Sequence, residues 1–128
     1  MSLEHIRLSQ QAKDQLIALK RRTGIKNWNV LCRWALCTSL AETSDPPNAN
    51  IPADSTVEMT WKIFGSDHGD IYFALLRHRL HQPGKKLSEE QIARGFRLHL
   101  HRGIGYLFGD RSIQTIDDLV ARAVARLG

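Results

Sequence analysis

Ile6 and Leu8 alternate with His5, Arg7 and Ser9 near the front of the chain, the two-residue period of a short strand with one buried face. A lone strand leaves its backbone N–H and C=O groups without partners, so this segment requires self-association, with a second chain supplying the partner strand. The period then changes. Ser9 suits a helix N-cap, and from Gln10 to Thr23 the apolar positions Ala12, Leu16 and Leu19 recur at helical spacing, with Ile17 widening the stripe. Gly24 is placed to end that helix. A second helix is predicted from about Asn27 to Ala41. It is apolar almost all round, with Trp28, Leu31, Trp34, Ala35 and Leu36 leaving little polar surface beyond Arg33, which predicts burial or an oligomer interface.

Pro46, Pro47 and Pro52 with the Asn and Asp residues between them mark residues 42–55 as a loop. Beyond it, Val57, Met59, Trp61 and Ile63 alternate with Glu58, Thr60 and Lys62, a second strand signal that ends at Gly65, with Trp61 expected in the core. Ser66 to Asp70 reads as a polar turn capping a helix over Ile71 to Leu80, stopped by Pro83 and Gly84. Ser88 with Gln91, and Thr115 with Asp118, form capping boxes for a long helix to about Leu107 and for a last helix. The expected fold class is mainly α with minor β. It comprises a strand-helix-helix front over 1–41 that is like a ribbon-helix-helix, the loop over 42–55, and a short second strand or hairpin with helices over 56–128. The whole of 1–128 reads as one domain.

Charge placement narrows function. Arg7, Lys13, Lys20, Arg21, Arg22, Lys26 and Arg33 stand against only Glu4 and Asp14 in residues 1–40, so the entire net charge of +5 lies there and the remaining residues balance to zero. A local excess of Lys and Arg is the electrostatic footprint of a protein that binds a polyanion. Lys13 and Lys20 are seven apart and share a helix face. Cations of this kind follow phosphate oxygens without reading sequence. Arg7 is the candidate for a base-edge contact, since a guanidinium can be bidentate to guanine, and the strand face of His5, Arg7 and Ser9 is the part that would enter a DNA major groove in a ribbon-helix-helix protein.

Catalytic and metal chemistry find little support. His99 and His101 face apart on a helix, and His78 and His81 have no Cys, Asp or Glu at ligand spacing, so no metal site is expected. Asp67, His68 and Asp70 are the candidates for a Mg²⁺-dependent nicking centre, with turn and capping chemistry as the simpler account. There is no Gly-rich phosphate loop, GxSxG or CxxC, and no cofactor is expected. Cys32 and Cys37 point to different helix faces and read as small buried thiols. The opening residues MSLEHIRLSQ contain no signal-peptide hydrophobic stretch, and no apolar run approaches the ~20 residues of a membrane span, so a cytoplasmic protein is expected.

The string IRLSQQAKDQLIALKRRTGIKNWNVLCRWALCTSL from Ile6, with ALLRHRLH over 74–81 and FRLHLHRGIGYL over 96–107, resembles the DndE family of DNA sulfur-modification proteins. Matched elements include Arg7-Leu8-Ser9, Leu19-Lys20, Arg22-Thr23-Gly24 and Leu31-Cys32-Arg33. The chain departs from the family pattern at His101, where Asn is common, and in its last helix over 112–128. The resemblance implies a non-catalytic accessory component of the system that replaces a non-bridging phosphate oxygen of DNA with sulfur. It implies a homotetramer, other phosphorothioation proteins as partners, and binding of nicked duplex DNA through surface lysines, here Lys13, Lys20 and Lys26. A repressor reading its operator through His5, Arg7 and Ser9 is the alternative of another class, beside the nicking enzyme.

Overall fold

A computed structural model describes residues 4–127; the ends of the expected 1–128 unit, residues 1–3 and 128, lie outside the described residues. β1 (His5–Arg7) leads into α1 (Gln10–Thr23) and α2 (Trp28–Ala41). After a stretch without helix or strand come β2 (Glu58–Thr60), α3 (Trp61–Gly65), a 3-10 turn (Ser66–His68), α4 (Gly69–Leu80), α5 (Glu89–Gly109) and α6 (Ile116–Leu127). The protein is mainly α with minor β, the class that the periodicities predict.

The front folds from local signals. Ser9 Oγ accepts the Ala12 N–H at 3.1 Å, and Gly24 closes α1 at φ 76°, a left-handed conformation that favours glycine. The inward stripe Ala12, Leu16 and Leu19 is fully covered. Ser88 and Gln91 exchange the two hydrogen bonds of a capping box at the start of α5, and Thr115 and Asp118 do the same before α6.

The strand partner is intramolecular. β1 pairs antiparallel with β2 in the register His5 with Thr60, Ile6 with Met59 and Arg7 with Glu58. Leu8 N–H donates to Val57 O and Ser55 N–H to Leu8 O, which extends the ribbon past the strand ends. The strand pairing expected of a second chain is therefore met within this one. The second strand is also shorter than its alternation predicts. Thr60 Oγ1 accepts the Ile63 N–H at 3.2 Å and starts α3, because the turn lets Trp61 stack against Phe64, Phe73 and Phe96 with ring centroids 5.1–6.2 Å apart. Ile63 is left exposed at 54%.

Two further expectations change. Gly69, not Ile71, opens α4, and the residue in the cap position, His68, makes no side-chain cap bond, so Ser66–His68 lead into the helix as a 3-10 turn and do not cap it by a side chain. Cys32 is buried, and burial pushes its thiol up to about 12, but Cys37 is exposed because it lies on the outer side of α2.

The core is a single cluster in which α2 lies along α5 more extensively than any other helix pair meets. Gly103 makes that crossing close: a Cβ there would sit 1.7 Å from Ala35 O. Beside it, buried Ser39 Oγ lies 2.8 Å from His99 Nδ1 and accepts the Arg102 Nε–H at 2.8 Å.

Candidate nucleic-acid interface

The basic residues of the front divide by what already occupies them. Arg22 lies on the side of α1 facing α5, donates to Phe108 O at 2.8 Å and holds its guanidinium 5.1 Å from the Phe108 ring centroid. It is an internal tie. Arg7 donates to Glu58 Oε2 at 2.9 Å and to Ser55 O at 3.3 Å, so the cross-strand register that completes the ribbon also neutralises its charge. His5 faces the same carboxylate at 3.7 Å.

Lys13, Lys20, Arg21 and Lys26 are different. The Leu16 and Leu19 stripe turns α1 so that Lys13 and Lys20 flank the outer face, either side of the exposed Ile17, and Arg21 is exposed beside them. Lys13 Nζ donates to Thr56 Oγ1 at 2.7 Å, and Lys20 Nζ stands 3.4 Å from the Trp28 ring centroid. Both contacts orient the ammonium without cancelling its charge. Among the described residues Arg21 and Lys26, both exposed, make no side-chain hydrogen bond or ion pair. Asp14 is the acidic side chain on this helix, and it accepts from Gln10 Nε2 at 3.0 Å. Lys20 and Arg21 also sit in the last turn of α1, where cations complement the helix dipole.

The outcome is three cations on α1, with Lys26 just past its end, that no carboxylate pairs, while Arg22 turns toward α5 and Arg7 is held by Glu58. Asp67, His68 and Asp70 are exposed on and beside the 3-10 turn, and no group of His, Cys, Asp and Glu among the described residues is arranged to hold a metal. His78 and His81 are both exposed.

What the sequence does not disclose is the work of the arginines in the second half. Arg79 donates to Leu40 O at 2.8 Å and Ser44 O at 2.6 Å, Arg102 to Ser39 O at 2.8 Å, and Arg97 to Arg7 O at 2.6 Å and Ile51 O at 2.8 Å. Arg79 and Arg102 fasten the end of α2 and the start of the 42–57 connection to α4 and α5, and Arg97 fastens β1 and Ile51 to α5. The signal was the connection itself: a Pro-rich stretch this long, packed on helices, leaves main-chain carbonyls that long donors must satisfy. His101 ties the start of α1 to α5, taking the Ser9 N–H on Nε2 at 3.2 Å and meeting Arg97 O through Nδ1 at 2.8 Å.

The sequence matches the family described as DNA sulphur modification protein DndE over residues 5–115, so α6 lies beyond the match. The fold is similar to the crystal structure of DndE from Escherichia coli B7A, a protein involved in DNA phosphorothioation modification. The identity is 23% and the TM-score 0.70, over 84% of this chain and 98% of that one. It is similar also to a glycine-to-lysine double mutant of DndE involved in DNA phosphorothioation, at 20% identity and a TM-score of 0.62, over 81% of this chain and 95% of that one. No curated protein matches the sequence.

Proposed function

This chain belongs to the DndE family of DNA sulphur modification proteins, and we propose that it is a non-catalytic, cytoplasmic component of DNA phosphorothioation that binds duplex DNA, with nicked duplex preferred, through α1. One observation carries the reading: Lys13, Lys20, Arg21 and Lys26 stand around one helix with no carboxylate paired to any of them, while Arg7, Arg79, Arg122 and Arg126 each have one. Uncompensated cations spaced along a helix bind the phosphate backbone and carry no base code. A preference for nicked duplex then reflects the shape and deformability of the DNA. The sulfur chemistry belongs to partner proteins of the system.

The test is a salt-titrated binding assay on intact, nicked and single-stranded DNA of scrambled sequence. The expected result is that nicked duplex binds best whatever its sequence. The variant Lys13→Ala/Lys20→Ala/Lys26→Ala is expected to lose affinity, with the salt slope shallower by roughly 0.9 for each phosphate contact removed. Variants that bind as wild type would show that α1 is not the DNA surface.

The same proposal includes self-association, as a homotetramer. Ile116, Val120 and Val124 recur at i, i+4 and i+8 on α6 and are exposed at 46–59%, and Ile71 and Leu75 form a second exposed pair on α4. An apolar stripe of that kind on a surface helix is the usual mark of a subunit contact. Val120→Asp/Val124→Asp is expected to shift the mass measured by light scattering toward the monomer, with helix content retained. An unchanged mass would remove α6 from the interface.

A further inference from the structure

Arg94 and Arg97 lie one turn apart on α5 and face the stretch over 48–52. Arg97 Nη2 donates to Ile51 O at 2.8 Å and Pro52 O at 2.9 Å, and its Nη1 to Arg7 O. Arg94 Nη2 donates to the Asn48 side-chain oxygen and, at 3.4 Å, to Ala49 O. Between helix and stretch is a cavity of about 300 Å³ lined by Ala49, Asn50, Ile51, Arg94, Arg97 and Leu98. No carboxylate lines it.

The charges around this cavity do not balance. A guanidinium has five N–H donors, and those on Nε and Nη1 of Arg94 and on Nε of Arg97 meet no acceptor among the described residues. Neither arginine forms an ion pair there, and the other contacts of both are to neutral carbonyls, whose dipoles hold the side chains in place without cancelling the charge. Asp54, whose charge acts on Arg97, gives its Oδ1 to the Gln10 N–H and is not in the cavity wall. Burial lowers the pKa of Arg97, the effect of partly desolvating a cation, and the Asp54 charge offsets that only in part.

We infer that this cavity is a phosphate-binding subsite, in which the Nε–H and Nη1–H groups left open on Arg94 donate to the oxyanion and Arg97, fixed by the loop carbonyls, supplies the second positive charge. Guanidinium N–H groups make charge-assisted hydrogen bonds to phosphate oxygens, and two cations in a half-enclosed site favour an anion with several acceptor oxygens over chloride. The phosphate can come from the DNA backbone or from free inorganic phosphate, and the two are separable. The subsite does not depend on α1 being the DNA surface.

The experiment titrates the full chain with inorganic phosphate against sodium chloride of equal ionic strength, reading the Asn50 and Ile51 amides and the arginine Nε–H signals by NMR. Phosphate is expected to give saturable shifts confined to these groups. Arg94→Gln, an exposed position where the fold is checked by circular dichroism, is expected to weaken binding by roughly tenfold or more. Arg94→Lys should fall between, since it keeps the charge and loses the planar set of fixed N–H donors. Duplex DNA that displaces the phosphate identifies a backbone phosphate as the ligand, and DNA and phosphate bound together identify the free anion. Equal shifts from chloride, or an unchanged affinity in Arg94→Gln, overturn the inference. Loss of DNA binding in the α1 lysine variant with phosphate binding intact would leave the subsite standing by itself.

Discussion

Gly103→Ala is expected to destabilise the protein by about 3 kcal/mol or more, at the upper end of what overpacking a core costs. The added Cβ would lie 1.7 Å from Ala35 O and 2.4 Å from its carbonyl carbon. Those are backbone atoms of α2, so no rotamer change relieves the overlap, and the two helices must move apart. Their separation loosens Leu36, Phe96, Leu100 and Ile104, all at 2% exposure or less, and interiors packed to this density do not absorb the shift. A domain with a total stability of roughly 5–15 kcal/mol loses a large part of it. Gly105 supplies the control. It lies in the same helix with nothing within 4 Å of its built Cβ, so Gly105→Ala is expected to raise stability by up to about 1 kcal/mol through helix propensity alone. Urea unfolding of both variants checks the pair. A Gly103→Ala midpoint equal to that of wild type would show that the helices do not meet as closely as described.

Stability is expected to fall steeply as pH drops from about 6.5 toward 4, by of order 3 kcal/mol for each of two histidines. His99 and His101 are held neutral, both with pKa lowered to about 4, chiefly by burial; the Arg79 and Arg102 charges add to this at His99, and at His101 the bond to Arg97 O opposes it in part. Geometry gives the same assignment. Ser39 Oγ lies 2.8 Å from His99 Nδ1 and accepts from Arg102 Nε, so a proton added to His99 would join a site that already holds the Arg102 cation. His101 donates from Nδ1 to Arg97 O and accepts the Ser9 N–H on Nε2, so both nitrogens are used in the neutral ring.

The unfolded chain protonates these rings near pH 6.5 and the folded one only near 4. Between those values the unfolded state binds about two more protons, and stability declines with falling pH until the folded rings titrate. Asp110 acts in a lower window: the Ser112 hydroxyl and then other donors depress its pKa, so its contribution is lost only as pH falls below about 3.8. Unfolding midpoints at pH 7.5, 6 and 5 for wild type and His101→Gln separate the windows. The variant, with one titrating ring fewer, is expected to show about half the wild-type slope. A wild-type midpoint that does not move between pH 7 and 5 would exclude this account of the buried rings.

The strand-helix-helix front was legible because each of its signals acts within a few residues. The Ser9 cap bonds Ala12, Gly24 closes on Lys20, and the Ser88 and Thr115 boxes each span three residues. The basic character of α1 was legible too, since a helix with a buried Leu16 and Leu19 stripe must place Lys13, Lys20 and Arg21 toward water. Which of the basic residues stay available was not. Arg7 and Arg22 carry the same formal charge as Arg21, but Glu58 and Phe108 occupy them from 51 and 86 residues away.

The same distance separates the other features that only the tertiary structure decided. The partner of β1 is β2, the Ser9 N–H ends on His101 across 92 residues, and Arg97 reaches Arg7 across 90. Gly103 reads in sequence as one more small residue in a helix and matters only because α2 passes over it. Period, capping and charge are properties of neighbours along the chain, so the sequence by itself determined the helices, their caps and the basic face. Strand pairing, the fate of each arginine and the closeness of two helices depend on which distant backbone is brought alongside, and that is settled only when the core closes.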